Sequence, residues 1–144
     1  MSLDPGLVDA NVLVYAVNHR ALQHSAALAL LQPAYDGTAT LYVTSQILCE
    51  FYSIVTNGRR VERPLSARDA LNVVAAHAQV MYVLPTPRQS VEILIDLLQR
   101  HPVTGSDIFD LQIVATMKAN GIHRIYTFNA ADFQPFSELE VVVP

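Results

Sequence analysis

Leu7-Val8-Asp9-Ala10-Asn11 constrains the fold of this chain more than any other stretch. Gly6 opens a short apolar run that ends in a carboxylate. Asn11 to Ala16 (NVLVYA) then begins a second apolar run, with no turn signal beyond the Asp-Ala-Asn step. The pattern predicts a buried strand passing directly into a helix, with Asp9 at the carboxyl end of the strand. In open α/β sheets, chemistry gathers outside the carboxyl ends of strands, where side chains and backbone groups converge on one crevice. Asp9 is therefore a candidate functional residue, and helix capping by Asp9 or Asn11 is the plain structural alternative.

Further along, strands and helices alternate. Ala21 to Leu31 is rich in alanine and leucine and reads as a helix closed by Pro33, with Asp36-Gly37 marking a loop. Leu41 to Thr44 reads as a strand, and Ser45 is placed to cap a helix that runs to about Thr56 before Asn57-Gly58. Ile47, Leu48, Phe51, Ile54 and Val55 recur there at helical spacing, and Glu50 borders that apolar stripe. A basic loop with Arg59, Arg60 and Arg63 follows, closed by Pro64. Ser66 is expected to cap a helix over Ala67 to Gln79, Val80 to Leu84 to form a strand, and Pro85 and Pro87 to introduce a helix through Arg100. With no repeat and no low-complexity linker, the alternation predicts one domain over residues 1–144, a parallel α/β sheet covered on both faces.

Gly105 to Phe133 carries most of the remaining information. Ser106 or Asp107 is placed to cap a helix that Asn120-Gly121 ends; Arg124 to Thr127 reads as a strand, with Asn129 and Asp132 beyond its carboxyl end. Ile108, Phe109, Leu111, Ile113, Val114, Ala115 and Met117 leave the helix apolar on most of its circumference, which predicts burial. Capping accounts for Asp107. Asp110 lies among apolar residues one turn further in, where a carboxylate is costly unless paired or metal-bound.

A parallel sheet would bring Asp9, Glu50, Asp110 and the Asn129–Asp132 segment to one edge. Clustered carboxylates resist joint ionisation unless a hard cation neutralises them. Oxygen ligands without thiolate or imidazole suit Mg²⁺ or Mn²⁺, which can activate water and steady a phosphoryl oxygen for in-line attack. Composition excludes several other chemistries. Five scattered histidines show no HxH or HExxH spacing, and Cys49 is the only cysteine, so neither a zinc motif nor an internal disulfide is available. No apolar run approaches a membrane span and the N-terminus lacks a signal pattern, so the expected setting is the cytoplasm. The formal charge of −4 runs against nucleic-acid binding unless the acids surround a cation.

VDANVLVYA at Val8 to Ala16, TSQILCEFYSIVTN at Thr44 to Asn57 and DLQIVATMKANGIHRIYTFNAADF at Asp110 to Phe133 together resemble the PIN domain and, within it, the VapC-type toxins of type II toxin–antitoxin systems. The resemblance spans essentially the whole chain, and the ordered set of three motifs is specific where each alone would be weak. It implies a three-layer α/β/α fold around a parallel sheet of five strands. It also implies a homodimer, a Mg²⁺- or Mn²⁺-dependent endoribonuclease acting on RNA, and inhibition by a cognate antitoxin protein. By motif, Asp9, Glu50 and Asp110 match the catalytic and metal-binding acids. Asn129 stands where many relatives have Asp, which leaves two options: Asp132 supplies the fourth charge, or three carboxylates hold the metal. Asn11, Ser45 and Asn129 match residues that orient the acids. Arg59, Arg60, Arg63 and Arg88 are the candidates for contact with the RNA backbone.

Rival readings fit less well. A haloacid-dehalogenase phosphatase needs an acid where Asn11 stands, and a receiver domain needs a late lysine near the site, whereas Lys118 falls inside a helix. An RNase H-like nuclease opens with antiparallel strands, but Asp9 leads into a helix. The remaining alternative is a catalytically degenerate PIN domain that binds RNA or protein without cutting; the presence of Asp9, Glu50 and Asp110 argues against it.

Overall fold

The computed structural model describes residues 3–144. Among them are the strands β1 (Gly6–Val8), β2 (Leu41–Thr44), β3 (Tyr82–Leu84), β4 (Arg124–Tyr126) and β5 (Glu140–Val142). The helices are α1 (Ala10–Ala16), α2 (His24–Tyr35), α3 (Ser45–Val55), α4 (Ala67–Val80), α5 (Gln89–Arg100) and α6 (Ile108–Ala119). All strands lie in one parallel sheet in the order β3-β2-β1-β4-β5. The central strand is buried on both faces, which is why it reads as an unbroken apolar run. Gly6 is required there by space: a Cβ would stand 2.7 Å from the ring of Tyr126 on the neighbouring strand.

The chain winds from β1 outward to β3 and then returns past β1 to reach β4. Right-handed crossovers in opposite directions place the intervening helices on opposite faces. The contacts agree: α1 packs on α2 and α3, and α3 on α4, whereas α5 packs on α6. The result is the expected three-layer α/β/α architecture. Leu7, Val12, Leu13, Ile47, Phe51, Ile113, Met117 and Ile125 fill the space between layers and are fully shielded from water. The order of strands reverses at β1, so the crevice above the carboxyl ends of β1 and β4 is the natural ligand position for this topology. None of the helices is long and apolar enough to cross a membrane, among the described residues.

Several local expectations are corrected. The second helix begins at His24, not Ala21, and passes through Pro33 to Tyr35. Burial of Ala34 and the bond from Tyr35 Oη to His77 Nδ1 (2.7 Å) favour that extra turn, while the Pro33 carbonyl is taken up by Thr38 and Ala39. Thr44, not Ser45, caps α3: it is extended, and its Oγ1 accepts the Ile47 N–H at 3.1 Å, whereas Ser45 is already helical. Asp107 makes no capping bond, because a 3-10 turn over Gly105–Asp107 has already given it helical dihedrals. Helix α4 continues to Val80, leaving only Tyr82–Leu84 for the outer strand. Phe109, expected in the core, is 50% exposed. Ser66 does cap α4, accepting the Asp69 N–H at 3.1 Å.

Candidate active site

Asp9 follows β1 directly, and its backbone N–H donates to the Tyr126 carbonyl at 3.0 Å, so the ladder between β1 and β4 extends to the site itself. Only 7% of Asp9 is exposed. Its Oδ1 accepts the Ala10 N–H at 2.8 Å, which also caps α1; its Oδ2 accepts Thr127 Oγ1 at 2.8 Å and Asn11 Nδ2 at 3.1 Å. Capping and site roles therefore coexist in one side chain. Asn11 is held in turn, donating to Thr127 Oγ1 at 3.0 Å and accepting the Phe128 N–H at 2.9 Å through Oδ1. Thr127 Oγ1 also receives the Asn129 N–H at 3.0 Å, which uses its full donor and acceptor capacity. Burial raises the Asp9 carboxyl above the usual carboxylate range. The bonds from Thr127, Ala10 and Asn11 oppose that rise, and the charge of Asp132 adds to it.

The other acids approach from three further elements. Glu50 projects from α3, and its Oε1 accepts Gln46 Nε2 at 2.9 Å. The same Gln46 nitrogen donates to the Phe109 carbonyl at 3.0 Å, tying the start of α3 to the start of α6. Burial raises the Glu50 carboxyl, the Gln46 bond lowers it, and the Asp9 charge raises it again. Asp110, on the first turn of α6, is pushed up to about 6, first by burial and then by the charges of Asp132, Asp9, Glu50 and Asp107. Asp132 lies in a 3-10 turn, Ala130–Asp132, beyond β4. The structure thus brings Asp9, Glu50, Asp110 and Asp132 into one electrostatic cluster at the strand-order switch.

The donor set is all oxygen, as a hard divalent cation requires. Among the described residues, no three His, Cys, Asp or Glu side chains already converge on a single ion position. Burial first, and then the charges of neighbouring acids, raise the carboxyls of Asp9, Glu50 and Asp110. The residues fit a cation on chemistry and charge.

The remaining expected residues divide. Asn11 joins the site as expected. Ser45 is exposed and makes no hydrogen bond to an acid among the described residues, because its place in the first turn of α3 turns it to solvent. Asn129 is exposed and reaches the network through its backbone N–H alone. Arg60 shares a cavity with Glu50; Arg63 lines a separate one near α1; Arg59 and Arg88 are exposed and line neither. Two residues escaped the sequence reading. Thr127 was legible only as the last residue of a strand, and the signal was a hydroxyl at a strand end opposite an acid. Gln46 precedes Glu50 by four residues, the spacing of neighbours on one helix face.

A family model for the PIN domain matches residues 6–138. The chain belongs to the PIN domain family. This PIN domain is 27% identical over 130 residues to Ribonuclease VapC24 of Mycobacterium tuberculosis, covering 90% of this chain and 89% of that protein. Its fold is similar to that of Mycobacterium tuberculosis VapC20, a Sarcin-Ricin loop cleaving toxin, with a TM-score of 0.70 at 20% identity, covering 96% and 98% of the two chains. It is also similar to a chain of the VapBC2 complex of Rickettsia felis bound to a promoter DNA fragment, with a TM-score of 0.66 at 18% identity over 97% and 98%.

Proposed function

We propose that this PIN domain is a divalent-cation-dependent endoribonuclease and the toxin of a toxin–antitoxin pair. The observation that carries the reading is Asp110: a carboxyl pushed up to about 6, first by burial and then by the charges of four other acids, in a crevice whose donors are all oxygen. Such a cluster is stable in its ionised form only around a cation. Asp9 and Asp110 would hold Mg²⁺ or Mn²⁺, Glu50 would hold it or orient a water, and Asp132 would add charge from the rim. The cation, when bound, supplies a Lewis acid for the phosphoryl oxygens and lowers the pKa of water at the site. Thr127, Asn11 and the Ala10 N–H keep Asp9 in one orientation, so little reorganisation is left for the reacting complex. Gln46 does the same for Glu50. The relatives named VapC and VapBC support the toxin reading and an antitoxin partner; a basic side chain of that partner would cover the acidic crevice. An apolar stripe on α5, Val91 and Ile95, exposed by 57% and 53%, supports a homodimer held by helical surface.

RNA incubated with the purified chain and Mg²⁺ or Mn²⁺ should be cut, and EDTA should abolish cutting. Cleavage undiminished by chelator would overturn the metal role. RNA binding with no cleavage under either ion would favour a degenerate binding module. Light scattering that gives a monomer at micromolar concentration would count against the dimer.

A further inference from the structure

Beside Glu50 lies an open cavity of about 450 Å³, a size that suits a small ligand or one nucleotide. Its walls come from α3, the basic loop after it and the first turn of α6: Gln46, Glu50 and Ser53, then Arg60, then Phe109 and Gln112. Phe109 is anomalous on its helix. Leu111 and Ile113 to Met117 are buried, yet the aromatic ring immediately before Asp110 is half in water and lines this cavity. Arg60 is also uncommitted. The ion pairs among the described residues fall on Arg20, Arg100, Lys118 and Arg124, which leaves Arg60 without an acidic partner. Amide side chains at Gln46 and Gln112 and the Ser53 hydroxyl offer hydrogen-bonding groups around the ring.

A half-exposed aromatic face, amides around it and a free guanidinium form the set that recognises an unpaired base: stacking on the ring, polar contacts to the base edge, a cation for the phosphate. We propose that this cavity is a nucleotide subsite, in which Phe109 stacks one unpaired base of the RNA and Arg60 holds an adjoining phosphate. The inference rests on the endoribonuclease reading and adds to it the residues that would hold one unpaired base beside the acids. Continuity through Glu50, which belongs to both the acid cluster and the cavity wall, places that base next to the phosphate to be cut. The hydrogen bond from Gln46 to the Phe109 carbonyl fixes the ring's backbone relative to Glu50.

The test is an abasic scan. A fluorescent single-stranded RNA containing all four bases, and a series in which each copy lacks one base, are titrated by fluorescence anisotropy against the full chain in Mg²⁺. An Asp9→Asn background prevents cutting. Phe109→Ala should weaken binding of the intact RNA by roughly 5- to 150-fold, the range for loss of one base–aromatic stack. It should cost nothing further on the one RNA whose missing base is the stacked one. Phe109→Tyr should restore binding, and Arg60→Gln should weaken all RNAs alike while reducing the salt slope by about one. Equal binding by Phe109→Ala, or equal weakening on every RNA of the series, would overturn the subsite. So would a Phe109→Ala variant that loses self-association or antitoxin binding but keeps RNA affinity, because the cavity would then be a protein interface. Failure of the underlying reading is distinguishable: the wild-type chain would then neither cut nor bind RNA with Mg²⁺ or Mn²⁺.

Discussion

Asp9 and Asp110 are both carboxylates of one crevice with raised carboxyls, but they are held in opposite ways. Asp9 is nearly sealed from water and accepts three hydrogen bonds, from Ala10, Asn11 and Thr127, that favour its charged form. Asp110 is half-buried, receives no such support, and is pushed further up by the charges of four other acids. One acid is preorganised by the fold; the other carries the unrelieved charge of its neighbours. Under the proposed function this difference would divide the labour, with Asp9 fixing where an ion sits and Asp110 making its binding favourable.

The largest effect should come from removing either charge. Asp9→Asn and Asp110→Asn should each lower RNA cleavage by more than about 100-fold, with circular dichroism unchanged, since these are ligand losses and not core cavities. Retention of activity by either variant would break the division between the two acids. Thr127→Val tests the preorganised half. It keeps the shape of the side chain but removes the 2.8 Å bond to Asp9 and the acceptor for Asn11 and for the Asn129 N–H. Cleavage should fall by about 10- to 100-fold and unfolding free energy by about 1–3 kcal/mol in chemical denaturation.

Acid should act on the frustrated half. The Asp110 carboxyl stands near 6 in the fold and at 3.8 in the unfolded chain. Below about pH 6 a proton competes with the cation there, so the apparent Mg²⁺ affinity, read from thermal shifts, should fall roughly tenfold per pH unit. In metal-free protein the sign is different. Between 3.8 and about 6 the folded state holds a proton that the unfolded chain has lost, so stability falls as pH rises through that window and the penalty is complete above it. Asp110→Asn should remove that slope and, at pH 7.5 without metal, stabilise the protein by on the order of 1 kcal/mol after allowance for solvent screening. The same substitution should remove most of the melting shift produced by Mg²⁺. The smallest effect belongs to Asp107→Ala. With no capping bond to lose, the change should stay within about 0.5 kcal/mol with or without metal; a loss near 1 kcal/mol would restore the cap that the sequence pattern suggested.

Much of this was legible in the residue order. The central strand showed as an apolar run because both of its faces are covered, and Leu41 to Thr44 was read to the residue for the same reason. Asp9 stands out at the carboxyl end of a strand, Glu50 at the border of an apolar helix stripe, and Asp110 because a carboxylate among apolar residues is costly without a partner. Strand β5 was not read from its own residues: Glu140–Val142 is three residues long and is defined by pairing with β4, including an Arg124–Glu140 ion pair at 2.7 Å. Residue type points to Ser45 and Asp107 as caps, yet Thr44 caps α3 and Asp107 makes no capping bond, because capping depends on dihedral angles that residue type only biases.

Chemistry within a few residues is what the sequence by itself determined: where each strand delivers an acid, which helix stripe is apolar, and that no soft metal ligand set exists. Those features follow from local periodicity and from the cost of burying charge, and both are properties of short segments. Only the tertiary structure decided that Thr127, 118 positions away, is the donor that holds Asp9. It likewise decided that Gln46 bridges Glu50 to the Phe109 carbonyl, and that Phe109 faces a cavity instead of the core. These pairings depend on the register between β1 and β4 and on the approach of α3 to α6, and a hydroxyl or amide gains such a role only from the distance to its partner.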